Sequence, residues 1–132
     1  MPRPTILLVD AHEDSRFIYA AVLGHHGFNV VASECCAQGV DLAREHRPGL
    51  IVVSVSLSPA PAWEMMEALR ARPETAGIPV VALSSTGQEE HRNRALELGC
   101  AAFLVKPLPP LELLATTRRL LEREMNGDGT PA

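Results

Sequence analysis

Several apolar runs in this 132-residue sequence end on residues that can do chemistry. "ILLVD" ends at Asp10, "LIVVS" at Ser54, "VVALSS" at Ser84 and Ser85, and "AAFLVK" at Lys106, which precedes Pro107. A carboxylate, hydroxyls and an ammonium form a set that can take an anion or a hard cation. Mg²⁺ favours carboxylate oxygens and water, whereas lysine and hydroxyl groups suit the oxygens of an anion. A serine nucleophile needs a base to activate it. His12 is the nearest candidate, and it lies beyond Asp10 on the side of the following helix. No nucleophile–base pair, Gly-rich phosphate loop or metal cluster is visible, which argues against an independent enzyme activity.

Those residues act together only if the elements carrying them align. Short apolar strands alternate with segments of helical period. "TILLVD" is the first strand, and "EDSRFIYAAVLGHHG" a helix whose apolar stripe is Phe17, Ile18, Ala21, Val22 and Leu23, stopped by Gly27. "FNVVAS" follows, with Ser33 as N-cap of a helix through "CCAQGVDLAREH" that ends before Pro48. "LIVVSV" is apolar up to Ser54, the signature of a central parallel strand covered on both faces. "AWEMMEALRARP" is a helix with Trp63, Met66 and Leu69 or Arg70 at helical spacing. "IPVVALS" is the fourth strand, and in the next helix Thr86 and Glu89 fit a capping box and Gly99 the stop. "AAFLVK" and "PPLELLATTRRLLEREM" complete the series, the last helix carrying Leu111, Leu114 and Leu121 on one side.

Five strand–helix units with short connections predict a single α/β domain with a doubly wound parallel sheet. Ligands bind such sheets at the carboxyl ends of the strands, where Asp10, Ser54, Ser84, Ser85 and Lys106 fall. The expected domain spans residues 5–124, and 125–132 is expected to be a flexible tail.

Composition narrows the classes. A formal charge of −4, from 12 basic and 16 acidic side chains, argues against nucleic-acid binding. No segment approaches a transmembrane span or a signal-peptide core, so a cytoplasmic protein is expected. Cys35, Cys36 and Cys100 have no C-x-x-C spacing and read as reduced, mostly buried thiols. His25, His26 and His46 sit at helix C-termini, which suits the helix dipole, and His91 is expected on an exposed face.

In order and spacing, "ILLVD" with Arg16, "LIVVS", "VVALSS" and "AAFLVKPL" resemble the receiver domain of bacterial response regulators, of the chemotaxis-receiver type, over nearly the whole chain. The resemblance implies a flavodoxin-like fold with strand order 2-1-3-4-5 and a role in two-component, phosphorelay signalling. It also implies partners: a histidine kinase or downstream effector, met through the face of the fourth helix, fifth strand and fifth helix. Asp10, Ser84, Phe103, Lys106 and Pro107 match the family's binding and switch positions. Ala11 stands where the family has a second metal-binding acid, and Ser54 where it has the phosphoacceptor Asp. Pro61 and Ala62 replace the Asp-Gly of the following loop, with a proline displaced to Pro59.

With Asp10 the single retained acid, Mg²⁺ binding is expected to be weak or absent, and the resemblance then implies a phosphorylation-independent interaction module. Lys106, lacking an aspartyl partner, could pair with Asp10. Two alternatives stand beside this reading: a working phosphorelay receiver whose acceptor is Ser54 or a first-helix acid (Glu13 or Asp14), and a small-ligand sensor whose vacated pocket takes an anion. The "RRLLERE" helix face could form a homodimer contact. Kinase, pathway and oligomeric state stay open, as does whether the chain stands alone or belongs to a longer protein.

Overall fold

The computed structural model describes residues 3–125. Five strands, β1 (Thr5–Val9), β2 (Asn29–Ser33), β3 (Leu50–Val55), β4 (Val80–Ser84) and β5 (Ala102–Val105), form one sheet in the order β2-β1-β3-β4-β5. All neighbouring pairs are parallel. The principal helices are α1 (Glu13–His25), α2 (Gly39–His46), α3 (Ala60–Arg70), α4 (Glu89–Glu97) and α5 (Pro110–Met125). Among the described residues no helix is long and apolar enough to cross a membrane. Except for Met125, the expected tail lies outside the described residues.

Strand periodicity divides the core in two. Ile6, Leu8, Leu50, Val52, Val81 and Leu83 face Tyr19 and Leu23 of α1 and Leu113, Leu114, Leu120 and Leu121 of α5. The alternate residues Leu7, Val9, Ile51, Val53, Val80 and Ala82 face Ala43 of α2, Met65, Met66 and Leu69 of α3, and Ala95 of α4. Because β1, β3 and β4 are covered on both faces, their sequences run apolar without alternation. Each such Leu, Ile or Val contributes about 1.5–3 kcal/mol by leaving water. Gly39 leaves room for Met65 of α3 against α2: a Cβ there would lie 2.5 Å from Met65 Sδ.

Several local expectations shift. In α1 the buried side chains are Tyr19 and Leu23, while Phe17 and Ile18 are 74% and 49% exposed. Tyr19 takes the inward phase with Leu23, and its hydroxyl is satisfied there by donating to the Leu108 carbonyl at 2.9 Å, a partner invisible to hydropathy. Leu111 likewise faces outward, whereas Leu114 and Leu121 are buried. Ser33 does not cap α2: it ends β2, and its Oγ accepts the Cys35 N–H at 3.2 Å. A 3₁₀ turn, Cys36–Gln38, then precedes the helix. The capping box at Thr86 is also absent, since α4 starts only at Glu89, behind Gln88. Thr86 Oγ1 instead accepts the Gln88 N–H at 3.3 Å.

His91 is buried, not exposed: its ring meets Trp63 edge-on at 5.9 Å between centroids. A one-turn helix, Pro73–Ala76, follows α3, and its buried Thr75 hydroxyl donates to the Leu69 carbonyl at 2.7 Å. Gly27 and Gly99 do end their helices at positive φ, +98° and +82°. All three cysteines are free, with Cys100 buried and Cys35 and Cys36 half-buried.

Candidate functional site

Sheet register gathers the chemistry-bearing residues. Val9 pairs with Val53, Ser54 with Leu83, and Ser84 with Val105, so residues far apart in sequence meet at the carboxyl edge. Asp10 is 2% exposed and bonded on every side. Its Oδ1 accepts the His12 N–H at 2.9 Å, and its Oδ2 accepts from Lys106 Nζ at 2.9 Å. Its carbonyl accepts from Arg16 Nη1 at 2.8 Å, and its own N–H donates to Ser33. Lys106 has a side chain only 14% exposed, and its backbone N–H donates to the Ser84 carbonyl. At this depth the pair stands by mutual satisfaction, since either charge alone would bear the cost of desolvation.

Ser54 is half-buried, and its Oγ donates to the Leu83 carbonyl at 3.4 Å. A carbonyl cannot take the proton away, so this bond does not activate the hydroxyl. Ser84 occupies a different place from the one its position suggests. It is fully buried, and its Oγ accepts the N–H groups of Thr86 and Gly87 at 3.2 and 2.9 Å. Its side chain pins its own loop, and Ser85 is the residue that reaches the rim. Phe103 is half-buried against the core layer of α2, α3 and α4. Burial pushes the Tyr19 phenol above its ordinary value and the nearby Asp10 charge adds to this, against the opposing Leu108 hydrogen bond.

The rim opens into a cleft of about 640 Å³. Asp10, Ser54, Ser85 and Lys106 share its lining with the β2–α2 loop and with α3. Sequence reasoning missed Glu34, Cys35, Cys36, Ser56, Ser58, Glu64 and Met65, all of which line it. The available signal was position, because most of them follow the ends of β2 and β3. Glu13 and Asp14 do not line this cleft; they occupy the exposed first turn of α1 beside Phe17 and Ile18.

Chemically, the rim offers one buried carboxylate whose two oxygens are both engaged, an ammonium already paired, and the Ser54 hydroxyl bonded to a carbonyl and not to a base. His12, Glu34 and Glu64 line the cleft beside it. Among the described residues no group of three His, Cys, Asp or Glu side chains is placed to hold a metal ion.

Comparison with known proteins agrees with this architecture. The chain is 29% identical over 124 residues to the phosphate regulon transcriptional regulatory protein PhoB of Pseudomonas aeruginosa, covering 94% of this chain and 54% of that protein. It thus spans about half the length of this relative. It is 26% identical to the polar-differentiation response regulator DivK of Brucella anthropi, covering 92% of this chain and 98% of that one. A response regulator structure from Desulfuromonas acetoxidans superposes with a TM-score of 0.81 at 26% identity, over 90% of this chain and 97% of that one. The fold likeness extends to a CheY-like receiver domain protein from Methanospirillum hungatei, with a TM-score of 0.85 at 20% identity over 95% of this chain and 98% of that one. Residues 6–118 match the response regulator receiver domain, a signalling module of two-component systems that is normally non-catalytic and works with kinases and effectors, and the chain belongs to that family.

Proposed function

We propose that this receiver, residues 5–124, works without phosphoryl transfer, as a protein-interaction module whose partner meets the face formed by α4, β5 and α5. The carrying observation is the commitment of Asp10: one oxygen to Lys106 Nζ and the other to the His12 N–H, with Ala11 beside it and Ser54 at the end of β3. Phosphoryl transfer relies on a positioned nucleophile and on cations that neutralise the transferring group. The Mg²⁺ that receiver domains imply does not fit these donors. A hard divalent ion asks for several free oxygens, and here a single carboxylate is already neutralised by an ammonium 2.9 Å away. Ser54 is a hydroxyl without a base, so it is a poor phosphoacceptor.

The proposed interaction face carries Leu96, Val105 and Leu111, all exposed apolar side chains on its three elements. Side chains of this kind supply the apolar centre of a protein interface. With the ion pair holding the rim in one arrangement, the partner reads a fixed surface.

The test is intact-mass spectrometry after treating the protein with acetyl phosphate and Mg²⁺. No phosphoryl adduct is expected, and a stoichiometric adduct would overturn the reading. Alkali stability of any adduct would separate phosphoserine at Ser54 from an acyl phosphate on a carboxylate.

A further inference from the structure

The cleft beside the rim is larger, more apolar and of different charge than an anion site requires. Many of its lining residues are Ala or Ser, among them Ala11, Ala62, Ala68, Ser54 and Ser85. Short side chains at these positions leave the space open. Its volume of about 640 Å³ falls within the roughly 300–1,000 Å³ usual for small-molecule sites. Cys36, Val40, Met65 and Ala68 provide apolar lining, and the Ser54 and Ser85 hydroxyls provide polar points at the rim.

Charge decides what such a space can take. The floor pair cancels itself, since Lys106 Nζ lies 2.9 Å from Asp10 Oδ2. Glu34 and Glu64 remain, both exposed to solvent and both lining the cleft, and among the described residues no second lysine or arginine lines it. His12 is the single other basic side chain there among the described residues. An anion entering would meet two uncompensated carboxylates, while a cation would be drawn inward.

From this geometry we infer that the cleft is a binding site for a small organic cation, a protonated amine carried on an apolar body, rather than for phosphate. The body lies along Cys36, Val40, Met65 and Ala68, and the ammonium is held by Glu34 and Glu64. This differs from the alternative in which the vacated pocket takes an anion, because Lys106 is already neutralised. The inference rests on the reading that the rim is not a phosphoryl-transfer centre.

The experiment is a proton–nitrogen NMR titration of the full chain with phenethylamine, its near-isosteric anion hydrocinnamate, and inorganic phosphate, at constant ionic strength. Phenethylamine is expected to shift the amides of residues 34–37 and 64–68 saturably, and about tenfold more tightly than either anion. The double variant Glu34→Gln/Glu64→Gln, altered only at exposed positions, is expected to lose about tenfold in amine affinity. Ala68→Leu, which fills the cleft, should abolish the shifts, with the dispersion of the remaining amides reporting an intact fold.

Equal or tighter binding of hydrocinnamate or phosphate would overturn the proposal. So would the absence of saturable shifts at amine concentrations on the order of 10 mM, or indifference to the double variant. Adduct mass is a separate signal. A failed amine titration therefore leaves the proposed function standing, and a phosphoryl adduct overturns that function while the titration still decides the ligand.

Discussion

The two edges of the sheet both use a half-buried cationic side chain to tie distant segments together, and they use it to different ends. At the amino edge Arg70 donates to four carbonyls: Ala76 at 2.6 Å, Ile78 at 3.1 Å, Leu98 at 3.3 Å and Gly99 at 2.9 Å. These carbonyls belong to the ends of the one-turn helix and α4 and to the segments entering β4 and β5. The planar guanidinium fork is matched to that task and spent on it. At the carboxyl edge Lys106 meets one carboxylate, and the ammonium has donors to spare beside an open cleft. A staple that spends four of its five donors fixes structure, whereas a pair beside a cavity fixes structure and still faces solvent chemistry.

Removing half of the carboxyl-edge pair should have the largest effect. Asp10→Ala leaves a mostly buried ammonium without its partner and should cost about 3 kcal/mol in urea denaturation. Lys106→Met should cost a similar amount by stranding Asp10. The double variant should lose much less than the sum, because both desolvation penalties vanish together. Additive losses would mean that the two groups do not act as a pair, and the contrast between the edges would fail.

Arg70→Ala comes next, at about 2 kcal/mol, since four carbonyls lose a charged donor while part of the site stays open to water. Arg70→Lys should recover less than half of this loss, because an ammonium cannot span the four acceptors. Full recovery by lysine would reduce the amino edge to a simple point charge.

A smaller effect is expected from pH. Burial pushes the Cys36 thiol above its ordinary 9.0, with the neighbouring Cys35 adding to the shift. Burial also raises Cys100, against the opposing influence of Arg70, the Ala102 backbone and Arg92. A raised folded value means that the unfolded chain releases these protons first. Their contribution is therefore fully present below pH 9.0 and lost as pH rises through and beyond it. Thermal denaturation should show this decline, and Cys36→Ala/Cys100→Ala should flatten it. An unchanged slope would remove these thiols from the account.

The smallest effect concerns Arg47, which ends α2 at a positive φ of 46°. A non-glycine residue there is strained, so Arg47→Gly should gain up to about 1 kcal/mol. A loss on that substitution would show that the side chain does more than tolerate its backbone.

Much of this molecule is legible in its sequence for a local reason. β1, β3 and β4 are buried on both faces, so their unbroken apolar runs announce themselves, and Gly27 and Gly99 mark stops that need positive φ. The rim positions follow from the same runs, because each run delivers its last residue to the carboxyl edge. The helix faces were harder to read. Phe17 and Ile18 look like core by hydropathy, yet α1 turns Tyr19 and Leu23 inward, where the Tyr19 hydroxyl finds the Leu108 carbonyl 89 positions away. Ser33 and Thr86 carry the right chemistry for caps, but each satisfies the N–H two residues onward within its own turn. That short-range competition is invisible to spacing.

The sequence by itself determined the parallel sheet, its order of elements, and the presence of Asp10, Ala11, Ser54 and Lys106 at its working edge. Only the tertiary structure decided how those residues spend their bonding capacity. Register placed Lys106 against Asp10, turned Ser84 into its own loop and brought Ser85 to the rim in its stead. It also gathered small side chains from four strand–helix connections and from α3 into one acidic cleft. Strand formation follows from burial averaged over a run, which composition records; hydrogen-bond partnership and cavity shape depend on single distances between residues the chain keeps far apart.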